Sequence, residues 1–369
     1  MSADFILSFS AAFLNRASQS VFPAIQPKMS RSGTIPSMQL TVSWGVSAPP
    51  QFQFTGAGGG QMFTLTMPLD VTTTPDGGPS QQGTSDVVAS CRAIVVAAGS
   101  VQFSVADISF TSADPFLQAV LNAKKADITA QVNDFVSTLA IQLNVIDGVH
   151  FAGYALQIGQ GQGAAAGGLQ MPVTIPPTPG LSTDFAAYIS QPLLQYIVQT
   201  TFWAQVPKDY SASGADVHLN GYEAGLANGQ LWLNLHLSGT YSSAGADWDI
   251  DIGTVNVNLN IAVDGRSLVI RGGDVSRPSV SLNPSNWLAW VYTIGGGIVT
   301  AIITAILNDV IGGKIQDSIR GNLNRTLMDV PVLNGAFEGV NITLTPRDLA
   351  VAGQGSQLVL TGNADVTAS

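Results

Sequence analysis

Residues 286–307 read NWLAWVYTIGGGIVTAIITAIL, and no charged residue appears until Asp309. About 20 apolar residues in a row are long enough to cross a bilayer. They serve equally well as a long helix buried inside something else. The segment runs on through a polar tail, Lys314 to Arg325, so Asn286–Thr326 reads as one helical stretch with an apolar body and a polar end. Three fates are open for it: burial against other elements, a membrane span, or conditional insertion into a membrane. Gly295-Gly296-Gly297 within it reads as a close-packing point, a break, or a small-residue dimer face.

The rest of the chain chooses among these fates because it repeats itself. Residues 5–28 (FILSFSAAFLNRASQSVFPAIQPK) and 185–208 (FAAYISQPLLQYIVQTTFWAQVPK) align without a gap at an offset of 180. The pairs are Phe5/Phe185, Ser10/Ser190, Leu14/Leu194, Gln19/Gln199, Phe22/Phe202, Ala24/Ala204, Pro27/Pro207 and Lys28/Lys208, and Leu143-Asn144 answers Leu323-Asn324. Such a period is far too long for a solenoid and implies duplication of a whole domain. The stiff, turn-rich run Pro176-Pro177-Thr178-Pro179-Gly180 marks the boundary. The expected repeats are 1–176 and 181–369, with 177–180 as linker.

In the first repeat, Phe5, Phe9, Phe13, Ala17 and Val21 recur at helical spacing and predict a helix over 4–22, stopped by Pro23. The period then switches to two. Met38, Leu40, Val42, Trp44 and Val46 alternate with polar or small residues, as do Phe63, Leu65, Met67, Leu69 and Val71, and then Val101, Phe103 and Val105. Short turns between them imply antiparallel strands with one apolar face. Asp114-Pro115 opens a second, long helix with its face at Ile128, Val132, Phe135, Leu139 and Leu143. The second repeat follows suit. Ser182-Thr183-Asp184 caps a helix carrying Phe185, Ile189, Leu193, Tyr196 and Ile197, kinked at Pro192. Strands follow at Leu231–Leu237, Val255–Val263 and Leu268–Ile270, and a hairpin at Val340–Leu344 and Leu358–Leu360 ends the chain.

The 286–307 stretch therefore occupies the place of the first repeat's long helix. That copy carries Lys124, Lys125, Asp127 and Asp134 and cannot cross a membrane cheaply. Duplicated domains share a topology, so the apolar helix is expected to lie buried against a curled sheet.

Composition agrees. The chain is 46% hydrophobic and only 10% charged over 369 residues, with a mean hydropathy of +0.28. It therefore encloses more apolar surface than an ordinary core, or meets lipid. A net charge of −10 excludes nucleic acid as a partner and purely electrostatic docking on anionic membranes. The single cysteine, Cys91, excludes an internal disulfide and reads as a buried structural thiol. The N-terminus lacks a positive leader region and carries Asp4 ahead of its apolar run, so the chain is expected to be cytoplasmic, or exported by a route the sequence does not display.

The motifs of chemistry are missing. There is no G-x-S-x-G elbow, no H-E-x-x-H and no P-loop. His150, His218 and His236 share no metal-ligand spacing. Gly159-Gln160-Gly161-Gln162-Gly163 is followed by strand-like sequence, so it reads as a hairpin turn and not a phosphate loop. Asp247, Asp249 and Asp251 alternate with Trp248, Ile250 and Ile252, which places all three on the solvated face of a strand and not in a calcium loop. An enzyme is the class with least support, and neither cofactor nor metal is expected. The sequons at Asn324 and Asn341 matter only in a secreted chain.

Two tandem copies of helix, antiparallel strands, long helix and closing strands resemble the tubular lipid-binding (TULIP) superfamily in its tandem, bactericidal/permeability-increasing (BPI) form. The closing segment NGAFEGVNITLTPRDLAVAGQGSQLVLTG (334–362) looks most like it. The chain departs from the secreted BPI-type members in lacking a signal peptide and a cysteine pair, and in this it is closer to the unsignalled, duplicated TULIP proteins found beside clostridial neurotoxin genes. The resemblance implies an α+β fold of two duplicated domains, each a strongly curved antiparallel sheet wrapped around a long helix. It implies that acyl chains of a phospholipid or fatty acid lie in the gap, with transient membrane contact during exchange. The expected lipid-lining residues are Phe9, Phe13, Phe135, Leu139, Ile189, Leu193, Trp290, Ile294, Ile298 and Ile302. The alternative is a non-enzymatic accessory protein of a toxin or secretion assembly, using the same fold as a solidly packed scaffold.

Overall fold

The structure, a computed structural model, describes residues 3–56, 61–96, 99–137, 141–143, 146, 148–159, 161–204, 207–212, 214–227, 230–276, 280–286, 289, 305, 317, 325–330, 332–337 and 339–369. It is mostly sheet, with few helices among the described residues, and belongs to the α+β class. The chain opens with β1 (Phe5–Ser10) and α1 (Ala11–Ile25). A first sheet follows, built from β2 (Ser30–Ile35), β3 (Leu40–Val46), β4 (Gln51–Gln53), β5 (Met62–Pro75), β6 (Gln81–Val96), β7 (Ser100–Thr111) and β8 (Ile141–Gln142), in the order β2-β3-β5-β6-β7-β8 with β4 on β5. Helices α2 (Pro115–Ala123) and α3 (Lys125–Ser137) lie between β7 and β8 in sequence. The hairpin β9 (Gly153–Ile158) and β10 (Gln162–Gly168) precedes β11 (Phe185–Ser190) and α4 (Gln191–Ile197), which continues as a π-helical turn over Val198–Trp203.

A second sheet comprises β12 (Asp209–Ala212), β13 (Ala215–Ala227), β14 (Gln230–Ser243), β15 (Ala246–Asp264), β16 (Ser267–Val275), β17 (Val280–Pro284) and β18 (Arg325–Asp329), in the order β12-β13-β14-β15-β16-β18 with β17 on β15. Then come β19 (Leu333–Phe337), β20 (Val340–Gln354) and β21 (Gln357–Ala368), and a third sheet runs β19-β20-β21-β11-β1-β10-β9. The first and second sheets are antiparallel and curled. Their register shifts at Ser90/Cys91, Leu219/Gly221, Leu235/Leu237, Val257/Leu259 and Leu268/Val269. Each such bulge adds local twist and bends its strand.

Two expected helices begin as strands. Phe5–Ser10 pairs residue for residue with Gln162–Gly167, and the helix starts only at Ala11, where Ser10 Oγ accepts from Phe13 N–H at 3.0 Å. The spacing Phe5, Phe9, Phe13 that suggested a helix coexists with Phe5, Leu7, Phe9 at period two, and a short apolar run satisfies both. Residues 185–190 behave alike, and Ser190 Oγ caps α4 by accepting from Leu193 N–H at 3.2 Å. Pro192 thereby falls in the first turn, where a missing N–H costs nothing, and does not kink the helix. Pro23 does not stop α1, which runs on to Ile25. The expected long helix after Asp114 is two helices, parted at Lys124 (φ −101°, ψ 8°). Met38 lies in a turn and is exposed instead of opening a strand.

The offset of 180 reappears in three dimensions. Strands β1 and β11, and the helices that follow them, start 180 residues apart. Asp4 and Asp184, one residue before each strand, make the same bonds. Asp4 N–H donates to Gly167 O (3.0 Å) and its Oδ2 accepts from Leu169 N–H (2.8 Å), while Asp184 N–H donates to Gly362 O (3.1 Å) and its Oδ2 accepts from Ala364 N–H (3.0 Å). Asp184 also receives the Arg16 guanidinium.

The chain forms two compact units. One is Met1–Tyr188 with Val330–Ala350 and Leu360–Ser369, and the other is Ile189–Asp329 with Val351–Val359. These units describe packing. The repeats 1–176 and 181–369 describe duplication and stay a proposal about origin. In the first unit, residues from the end of the chain enter the core. Phe337 meets the Phe135 ring edge-on at 5.5 Å, and Val340 and Ile342 belong to the same buried cluster. Asn341 and Ser369 exchange backbone hydrogen bonds of 2.9 and 3.0 Å.

Phe337→Ala is therefore expected to lower the unfolding free energy of this unit by about 3 kcal/mol. Trp44 is its only tryptophan, so the 19F signal of 5-fluorotryptophan at that position in a urea titration reads it out. A change below about 0.5 kcal/mol would contradict a core role for the chain's last hairpin.

Candidate functional site: the apolar interior of the first unit

The site is built by alternation. Leu40, Val42, Trp44 and Val46 on β3, Phe63, Leu65, Met67, Leu69 and Val71 on β5, and Val87, Ala89, Cys91 and Ala93 on β6 all turn to one face and are buried. Successive strand side chains point to opposite faces, so one face of the sheet is a continuous apolar surface. Helix α3 lays Ile128, Val132, Phe135 and Val136 on it, and α1 adds Val21, Phe22 and Ile25.

An aromatic chain runs through this interior. Phe9 meets Phe54 at 5.8 Å, Phe54 meets Phe63 at 5.8 Å, and Phe63 meets Phe103 at 5.6 Å, all edge to face. That geometry suits the quadrupoles of the rings. Gly163, opposite Phe9, is required here, because a Cβ would lie 2.8 Å from the Phe9 ring.

Polar contacts hold the helices from outside. Asn133 Oδ1 accepts from Val105 N–H at 3.0 Å, Gln118 Nε2 donates to Phe110 O at 2.9 Å, and Lys125 Nζ donates to Asp107 Oδ1 at 2.8 Å. The Lys125 bond, helped by Ile108 N–H, holds the Asp107 carboxyl below the usual range. One polar pair sits within: Trp44 Nε1 donates to Gln131 Oε1 at 2.8 Å. Burial pushes the Cys91 thiol up to about 12.

Of the ten expected lining residues, Phe9 and Phe135 share this interior, although Phe9 comes from a strand and not a helix. Phe13 on α1 is buried apart from that cluster. Ile189 on β11 and Leu193 on α4 are buried in the second unit. Leu139, Trp290, Ile294, Ile298 and Ile302 lie outside the described residues, as does nearly all of the 286–307 stretch. Sequence reasoning passed over Phe54 and Gln131. The signal for Gln131 was present, since it is a polar residue on an apolar helical stripe, three after Ile128 and four before Phe135.

In the second unit, Asp247, Asp249 and Asp251 are exposed on β15, opposite Ser242, Thr240 and Ser238, while Trp248, Ile250 and Ile252 are buried. Among the described residues, no group of three His, Cys, Asp or Glu is placed to hold a metal ion. Also among the described residues, no helix is long and apolar enough to cross a membrane.

No family model matches the sequence, and no curated protein matches it. Solved structures do resemble it. P47 of Clostridium botulinum E1 matches with a TM-score of 0.54 at 10% identity, over 98% of this chain and 99% of that one. P47 from Clostridium botulinum A2 matches with a TM-score of 0.52 at 10% identity, over 98% and 97%. Lipopolysaccharide binding protein gives a looser match, TM-score 0.42 at 10% identity over 99% of both chains, and nothing below rests on it. The likeness to P47 spans nearly the whole chain and shows a shared fold. At such identity it speaks of fold alone.

The buried thiol yields a direct test of the interior. A thiol-specific chromogenic reagent at pH 8 is expected to leave Cys91 untouched in folded protein and to label one thiol per chain on unfolding, because the neutral, enclosed thiol is a poor nucleophile. Rapid labelling of the native chain would contradict an enclosed interior.

Proposed function

We propose that this chain is a non-enzymatic lipid-binding protein that holds acyl chains of a phospholipid or fatty acid between its curled sheets and the helices laid on them. The observation that carries the reading is the meeting of two apolar faces in the first unit. The alternating face of β3, β5 and β6 lies against the Ile128–Val132–Phe135 face of α3, while Lys124 and Lys125 pair with the exposed carboxylates of Asp127 and Asp107. The tandem TULIP-like fold supports it, as does a composition rich in apolar and poor in charged residues.

The proposal extends to Asn286–Leu307, with Trp290, Ile294, Ile298 and Ile302 as proposed lipid-lining residues. Phe9, Phe13, Phe135, Leu139, Ile189 and Leu193 complete the proposed lining. Burying a methylene contributes about 0.8 kcal/mol. A chain of ~16 carbons then contributes on the order of 10 kcal/mol before ordering costs. Such a ligand exchanges through transient contact with a membrane.

A scaffold role in a toxin or secretion assembly is the second reading. The close edge-to-face contacts along Phe9, Phe54, Phe63 and Phe103 favour it, because they describe an interior filled by its own side chains.

The readings separate on incubation with phosphatidylcholine vesicles doped with a fluorescent acyl lipid, followed by removal of the vesicles. Lipid binding predicts protein-borne fluorescence in the wild type. It predicts a loss of about tenfold or more, equivalent to ~1.4 kcal/mol, in Phe135→Lys and Ile298→Lys. Val132→Trp, which fills the same space without charge, is expected to reduce uptake likewise and covers the case in which the lysine variants do not fold. Absence of uptake by the wild type, or wild-type uptake by folded variants, overturns the proposal.

A further inference from the structure

Gln131 has an unspent donor in an apolar place. Its side chain sits on α3 between Ile128 and Phe135, and the residue is 7% exposed. Trp44 Nε1 is a donor only, so the Gln131 oxygen must face it, and the 2.8 Å bond fixes which way the amide points. The amide nitrogen is left with no hydrogen-bond partner among the described residues. Swapping oxygen and nitrogen does not relieve this, because two donors would then face each other. Buried donors in folded proteins are nearly always satisfied, and an orphan calls for an explanation.

Burial says what acceptor would fit. Among the described residues, no Lys, Arg or His is buried. Lys124, seven residues earlier, is committed to Asp127 at 3.0 Å. An ionised carboxylate brought here would be buried without a counter-charge, which is costly. An uncharged carbonyl oxygen would be accepted.

Resting on the lipid-binding reading, we propose that Gln131 is the polar anchor of the first unit's ligand: its Nε2 donates to an acyl-ester carbonyl, and the site selects esterified acyl chains over free fatty acid. Trp44 is the positioning residue that aims the amide. The ester belongs either to a glyceride without a charged head or to a phospholipid whose head stays outside.

The experiment uses the full chain and three probes carrying 13C at the oleoyl carbonyl: dioleoylglycerol, dioleoylphosphatidylcholine and oleate. Binding is counted by native mass spectrometry, and the 13C carbonyl band is read by difference infrared spectroscopy. In the wild type, at least one ester is expected to bind about tenfold more tightly than oleate, with its band shifted to the hydrogen-bonded position. Dioleoylglycerol or dioleoylphosphatidylcholine as the preferred ester identifies the source, and either supports the anchor. Gln131→Leu is expected to fold, to lose the band shift and to lose the preference. Gln131→Met serves as the second apolar variant.

Binding of oleate as tight as that of both esters overturns the proposal, as does an unchanged ester band in Gln131→Leu or Gln131→Met. Those outcomes leave lipid binding itself standing. If the wild type binds none of the three probes, the lipid-binding reading fails together with the anchor.

Discussion

Long strands with one apolar face must be covered. In this chain β5, β6 and β15 have 14, 16 and 19 residues, and their buried positions alternate along most of that length. An uncovered face of that size would drive association with anything apolar. The first unit meets the demand from several directions at once. Helices α1 and α3 lie on the sheet, β1 brings Phe9, and the end of the chain brings Phe337, Val340 and Ile342. Cover assembled from sequence-distant pieces leaves the chain unable to finish this core until its last strands exist.

The cover is seamed by repeated polar devices at the ends of its elements. Ser10 and Ser190 cap their helices, and Asp4 and Asp184 each tie their strand to a neighbouring hairpin through the same pair of bonds. These are positions where a backbone group would otherwise go unpaired. Around them the two stretches differ. The first begins a regular helix of 15 residues, whereas the second has seven α-helical residues followed by a π-helical turn of six. Arg16, which reaches Asp184, has Tyr196 at its equivalent position.

Much of this was legible in the sequence, because alternation is a local signal and the offset of 180 shows as aligned residues. The strands at Leu40–Val46, Phe63–Val71 and Val340–Leu344 follow from period two, and the offset of 180 located β1 and β11 even though both were read as helix. That error has a physical cause: six-residue runs with Phe5, Leu7 and Phe9, or with Phe185, Ala187 and Ile189, at every second position fit either period. The break at Lys124 has no breaker residue to announce it. The passage of residues 330–350 into the first unit was invisible because non-local pairing writes nothing into a local window. At the site, Phe9 and Phe135 came from periodicity and do share an interior, while Gln131 was overlooked because stripes were sought and their interruptions were not. The stretch that opened the reading, Asn286–Leu307, decided the fold class through its place in the repeat and lies almost wholly outside the described residues.

The central claim is that these apolar faces enclose acyl chains. It is tested most directly by native mass spectrometry of gently purified full-length protein, with organic extraction and identification of whatever is released. The account predicts one or two lipid masses per chain that survive purification, as burial of about 0.8 kcal/mol per methylene implies. A clean apo mass, unchanged after incubation with liposomes, would contradict it and leave a scaffold whose helices are ordinary core.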